Sequence, residues 1–154
     1  MSAAHSLAFG LMFSLAATIA DAAPAKDRDA TAPHGNLDAG IAAYESRDFR
    51  MAVQQLEIAI VADPKNPEGY FRLSQAHRAL GNYRRALKYV RLALAIEPNH
   101  LAALRERGVI LLEAGQPADA KLALEQLGEK CGRACPEYES LKRQLAAAPV
   151  KKDG

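Results

Sequence analysis

At 154 residues the chain is long enough for one domain, and a formal net charge of +2 is too small to point to nucleic acid. Charged residues at 25% and hydrophobic ones at 49% are ordinary for a soluble protein. Trp is absent and aromatics are few, so a core has to be built mostly from Ala and Leu.

In chain order, Leu7 to Ile19 comes first, an apolar run of 13 residues. It is short of the roughly 20 residues that span a bilayer. Ala20-Asp21-Ala22 offers a small-x-small cleavage pattern. Residues 1–22 therefore read as a secretory signal, with a mature start near Ala23 and no membrane span after cleavage. No Lys or Arg precedes the run, only His5 and the terminal amine, so an uncleaved anchor is the alternative. No Cys follows it, which argues against a lipid anchor. Residues 23–33 are polar and bounded by Pro24 and Pro33, and read as a disordered tether. A periplasmic or secreted protein is expected.

The folded part repeats with a period of 34 residues. Ala86, Ala93 and Pro98 stand 34 positions after Ala52, Ala59 and Pro64, and Gly115 and Ala120 stand 34 after Gly81 and Ala86. The alanines are small where two helices must approach closely. Gly81 and Gly115 lie between apolar helical runs, where a chain reversal needs left-handed backbone. Asp63-Pro64 and Glu97-Pro98 end helices, because Pro disfavours helix in the residue before it. Helices are expected near 36–45, 49–62, 68–79, 83–95, 101–113 and 117–129. A unit of this length cannot bury its apolar face alone, so neighbours must stack. The fold class is all-α: an α-solenoid of three antiparallel helix-turn-helix repeats, about 33–66, 67–100 and 101–134, within a domain of 34–148.

These residues resemble the tetratricopeptide repeat family. The middle unit fits it best, through Tyr70, Leu73, Ser74, Gly81, Asn82, Tyr83, Ala86, Ala93 and Pro98. The first supplies Gly40, Tyr44, Asp48, Phe49, Ala52, Leu56, Ala59 and Pro64, but has Asn36 where a large residue is usual. The third keeps Leu104, Gly108, Gly115, Ala120 and Leu124, puts Leu127 where a small Ala belongs, and lacks the closing Pro. Such departure suits a terminal unit. By this resemblance the first helix of each pair lines a concave groove for an extended peptide or a partner helix. The lining would be Leu37, Asp38, Ile41 and Glu45 in the first unit, Phe71, Arg72, Gln75 and Arg78 in the second, and Arg105, Glu106, Val109 and Leu112 in the third. Apolar patches mixed with Arg suit a peptide carrying hydrophobic anchors and acidic groups. The Lys/Asn clamp for a C-terminal carboxylate, found in some members, is absent apart from one Arg, because its places carry Leu37, Ile41, Arg72, Ala102 and Glu106.

Past the third repeat, Gly128, Gly132 and Pro136 make the Cys131–Cys135 stretch a turn. Residues 136–148 then carry Tyr138, Leu141 and Leu145 on one stripe, as a capping helix should. Residues 149–154 are a frayed tail. Three readings of the cysteines stand: a structural disulfide, a copper or thiol-active pair, or two free thiols. Closing the five-residue loop would contribute about 2 kcal/mol by chain entropy. The Cys-x-x-x-Cys-Pro spacing superficially resembles the copper loop of Sco-type chaperones, without their βαβ context. It is not a haem-attachment spacing.

No nucleophile elbow, phosphate loop or His-Glu-x-x-His stands in the chain, so no catalytic residue, resident metal or cofactor is expected. His34, His77 and His100 read as structural or exposed. Arg84, Arg85, Lys88 and Arg91 cluster on an outer helix and read as a solvated face. The expected function is non-enzymatic binding of a protein or peptide partner, with thiol or copper handling at Cys131 and Cys135 as the alternative.

Overall fold

The structure, a computed structural model, describes residues 35–148. The expected signal (1–22), the expected tether (23–33), His34 and the expected tail (149–154) lie outside the described residues. Seven helices follow one another: α1 Gly35–Glu45, α2 Phe49–Ala62, α3 Pro67–Ala79, α4 Tyr83–Ile96, α5 Leu101–Glu113, α6 Pro117–Cys131 and α7 Pro136–Ala147. No strand occurs among the described residues. The six expected helices are present, and short reversals join α1 to α2, α3 to α4 and α5 to α6 as hairpins.

Each hairpin reverses by the same pair of hydrogen bonds. In the second, Gly81 N–H donates to the Arg78 carbonyl and Asn82 N–H to that of His77. In the third, Gly115 donates to Leu112 and Gln116 to Leu111; in the first, Arg47 donates to Tyr44 and Asp48 to Ala43. This pairing requires one left-handed residue after the helix. Gly81 (φ 72°) and Gly115 (φ 76°) adopt it without steric cost, but in the first hairpin the residue is Arg47 (φ 64°). Arg47→Gly is expected to raise stability by up to about 1 kcal/mol, read from the midpoint of urea unfolding. An unchanged or lower midpoint would mean that the arginine carries no strain there.

Successive hairpins also join by a repeated device. Asn66 Oδ1 accepts from Glu68 N–H at 3.0 Å to cap α3, and His100 Nδ1 accepts from Ala103 N–H at 3.3 Å to cap α5. The small residues sit where helices meet. Ala52, Ala86, Ala93 and Ala120 are fully buried, and Ala59 nearly so. At Gly40 an added Cβ would stand 2.5 Å from Leu56 Cγ, so α1 and α2 touch backbone to side chain. Phe71, Ala86, Val90, Ala93, Ala103 and Ile110 form one cluster drawn from α3, α4 and α5, so each hairpin closes its core on the next.

The stack is curved. α1 meets α3 and α3 meets α5, whereas α2, α4 and α6 stand clear of one another. The first helices therefore form the inner row and the second helices the outer one. α7 lies against both α5 and α6, where the first helix of a further hairpin would sit. Its Leu141 is fully buried over Gly108, and its Tyr138 covers Gly128. A Cys131–Cys135 disulfide, with Cα atoms 5.8 Å apart, ties the end of α6 to the start of α7.

Candidate functional site

The inner row of first helices is the candidate site. Leu37 and Ile41 of α1 are half-buried, and Asp38 and Glu45 are exposed. Arg72, Gln75 and Arg78 of α3 and Arg105 and Leu112 of α5 are half-buried. Phe71, Glu106 and Val109, expected in the lining, belong to the interior: they are 4%, 1% and 4% exposed. Phe71 sits in the α3–α4–α5 cluster with its ring centre 5.0 Å from that of His100. Val109 packs with Leu104, Leu127 and Leu141 because α7 closes over that part of α5. Glu106 is drawn in by an ion pair across the two helices.

That ion pair reorganises the charge of the groove. Arg78 Nε donates to Glu106 Oε1 at 2.6 Å, and its Nη1 donates to Glu113 Oε1 at 2.9 Å. Burial opposes the charge on Arg78, but the Glu106 and Glu113 carboxylates, Glu106 foremost, together hold the guanidinium pKa up. Arg72 Nε donates to Glu68 Oε1 at 2.6 Å and Nη1 to Gln75 Oε1 at 3.3 Å, while Glu68 Oε2 lies 3.5 Å from His100 Nε2. Two of the three arginines expected to meet acidic groups are thus already paired with glutamates of the groove. Among the described residues Arg105 is in no ion pair, and neither are Asp38 and Glu45. The surface left for a partner is acidic toward α1, cationic at Arg105 on α5, and carries Leu37, Ile41 and Leu112 as apolar contacts.

His77 is interior and structural. It is 1% exposed, stacks on Tyr89 with ring centres 5.2 Å apart and planes at 3°, and neither ring nitrogen has a hydrogen-bond partner among the described residues. Burial first, and the nearby Arg85 second, hold its pKa below the ordinary histidine value, with Glu57 opposing. The folded state therefore prefers neutral His77. Its stability contribution is complete above about pH 6.5 and falls as pH drops from there toward the lowered folded value. His77→Phe, which keeps the stack, is expected to raise stability by about 1 kcal/mol at pH 7. It should also flatten the stability curve below about pH 6.5. Urea midpoints of both proteins across that range check this; parallel curves would rule out His77 as the source.

At the cap, Cys131 Sγ, Cys135 Sγ and a Glu137 carboxylate oxygen lie within 4.8 Å of one another. The two sulfurs are joined as a disulfide, so no thiolate is available there in this state.

Comparison with known proteins agrees with the geometry. Two family profiles, both described as tetratricopeptide repeat, match residues 37–100 and 77–145. The chain is 30% identical over 132 residues to a protein from Oryza sativa subsp. japonica called Protein SGT1 homolog, covering 80% of this chain and 36% of that protein. It spans about a third of the length of the curated relatives it matches. Among solved structures, the first TPR domain of human RPAP3 superposes with a TM-score of 0.67 at 22% identity, over 75% of this chain and 93% of that one. The second TPR domain of human RPAP3, solved in complex with HSP70 peptide SGPTIEEVD, gives 0.67 at 18% identity, over 74% and 98%.

Proposed function

The chain belongs to the tetratricopeptide repeat family over residues 37–145, and on that premise we propose that it is a non-enzymatic scaffold holding a peptide or helix of a partner protein in its inner groove. The observation that carries this is the inner row itself. It curves, it is lined by half-buried Leu37, Ile41 and Leu112, and it leaves Asp38, Glu45 and Arg105 without counter-charges among the described residues. Peptide binding by the second RPAP3 domain supports the reading, with one difference. A peptide as acidic as SGPTIEEVD would here meet Asp38 and Glu45 and, among the described lining residues, only Arg105 as an unpaired cation. A segment with an apolar middle and opposite charges at its two ends suits this groove better.

The double variant Arg72→Glu/Arg105→Glu is expected to weaken partner binding at least tenfold while the thermal midpoint moves little. Affinity capture from envelope extract identifies the partner, and titration of that partner against both proteins measures the change. Equal affinity for wild type and variant would remove the groove from the account.

The same proposal puts the mature protein in the cell envelope or outside the cell. The apolar run Leu7 to Ile19 followed by Ala20-Asp21-Ala22 supports this, and so does an internal disulfide, a bond that persists in oxidising compartments. N-terminal sequencing of the protein from a periplasmic fraction should begin near Ala23. Thiol or copper handling has the Glu137 carboxylate beside the two sulfurs in its favour. Thiol titration before reduction separates the readings: no free thiol favours the scaffold, a titratable pair the metal site.

A further inference from the structure

The outer row carries a second feature that the groove does not use. α4 holds Arg84, Arg85, Lys88 and Arg91, all exposed, and has no Asp or Glu between Tyr83 and Ile96. Among the described residues none of the four takes part in an ion pair, and Lys88 lies over the Tyr89 ring, 5.4 Å from the ring centre. Their charge reaches groups around them. Arg85 helps depress His77, and Arg91, after burial, helps depress the neighbouring Arg107. An uncompensated cluster of this kind works against folding rather than for it.

Its shape is specific. Arg84, Lys88 and Arg91 follow the i, i+4, i+7 spacing and so form one stripe of about 10 Å along the helix. Leu92 and Ile96, 39% and 40% exposed, form a second stripe beside it. The surface that carries cations alone is one helix wide. On the same outer row α2 presents Glu57 with Arg50, and α6 presents Asp119, Glu125 and Glu129 with Lys121 and Lys130, all exposed.

We propose that the outer face of α4 is a second docking surface, for an acidic amphipathic helix of a partner protein. Carboxylates spaced a helical turn apart would meet Arg84, Lys88 and Arg91, and an apolar edge of the same helix would cover Leu92 and Ile96. An anionic bilayer is a poorer match. A plane broad enough to reach all four cations would also press on the carboxylates of α2 and α6.

The test uses the full chain and two synthetic helical peptides of about 20 residues: one with Glu at i, i+4, i+7 beside a Leu stripe, and its Lys counterpart. Vesicles of pure phosphatidylglycerol form a third arm. The acidic peptide is expected to bind, the lysine peptide at least tenfold more weakly, and raised salt should weaken the acidic complex. Arg84→Glu/Lys88→Glu/Arg91→Glu should lose at least tenfold in affinity with an unchanged helical spectrum, whereas Lys121→Glu/Lys130→Glu on α6 should not. Arg105→Glu in the groove should leave this binding intact. The proposal is overturned if the charge-reversed α4 binds equally well, if Arg105→Glu abolishes the binding instead, or if vesicles bind and the acidic peptide does not.

Discussion

Arg78→Met is expected to cost about 3 kcal/mol of folding stability. Arg78 spans two hairpins: it leaves α3 and holds Glu106 and Glu113 of α5. Glu106 is 1% exposed, so without the guanidinium its carboxylate stays in the interior with nothing to balance it. Removing the charge partner is the costly step, and removing both should cost much less. The double variant Arg78→Met/Glu106→Leu should recover most of the loss, since packed apolar residues often match a buried pair. Urea unfolding of the two single variants and the double gives the coupling. If Arg78→Met is within 0.5 kcal/mol of wild type, about the effect of an ordinary surface change, the ion pair does not hold the hairpins together.

The second large effect is at the cap. Leu141→Ala should cost about 3 kcal/mol, the usual loss for a fully buried leucine. Its side chain fills the space over Gly108, where a Cβ would press into the Leu141 methyl groups and stand 3.2 Å from its Cγ. Gly108→Ala should therefore destabilise the wild type although alanine is the better helix former by about 1 kcal/mol. In the Leu141→Ala background the same change should stabilise, because the added methyl enters the space just vacated. A reversal of sign between backgrounds is the decisive reading; strictly additive effects would mean that α7 does not seat on Gly108.

Much of this architecture was legible in the residues because it depends on a period. The alanines at 34-residue spacing mark the helix crossings, and Gly81 and Gly115 mark the reversals. Arg47 escaped notice because arginine is no turn residue, although it stands 34 positions before Gly81 and shares its backbone geometry. The groove was less legible. Repeat position puts Phe71 and Val109 in the lining, but the first helix of one unit packs on the next, and α7 packs on the last, so those positions turn inward. The pairing of Arg78 with Glu106 and Glu113 had a faint signal: opposite charges 28 and 35 positions apart, one repeat within a helical turn or two, on successive first helices. His77 stands at a helix-packing position of the repeat, but its stack on Tyr89 of the facing helix left no mark in the residues.

The curvature has a mechanical consequence. Among the described helices, successive hairpins pack chiefly α2 on α3 and α4 on α5; α1, α3 and α5 also meet one another, while α2, α4 and α6 keep their distance. The coil is thus closed along the first-helix edge and open along the other. A guest that wedges α1 away from α5 must narrow the gaps on the opposite edge, and one that clamps that edge must flatten the arc. Occupancy on either flank is therefore geared to the other without any loop having to move between them.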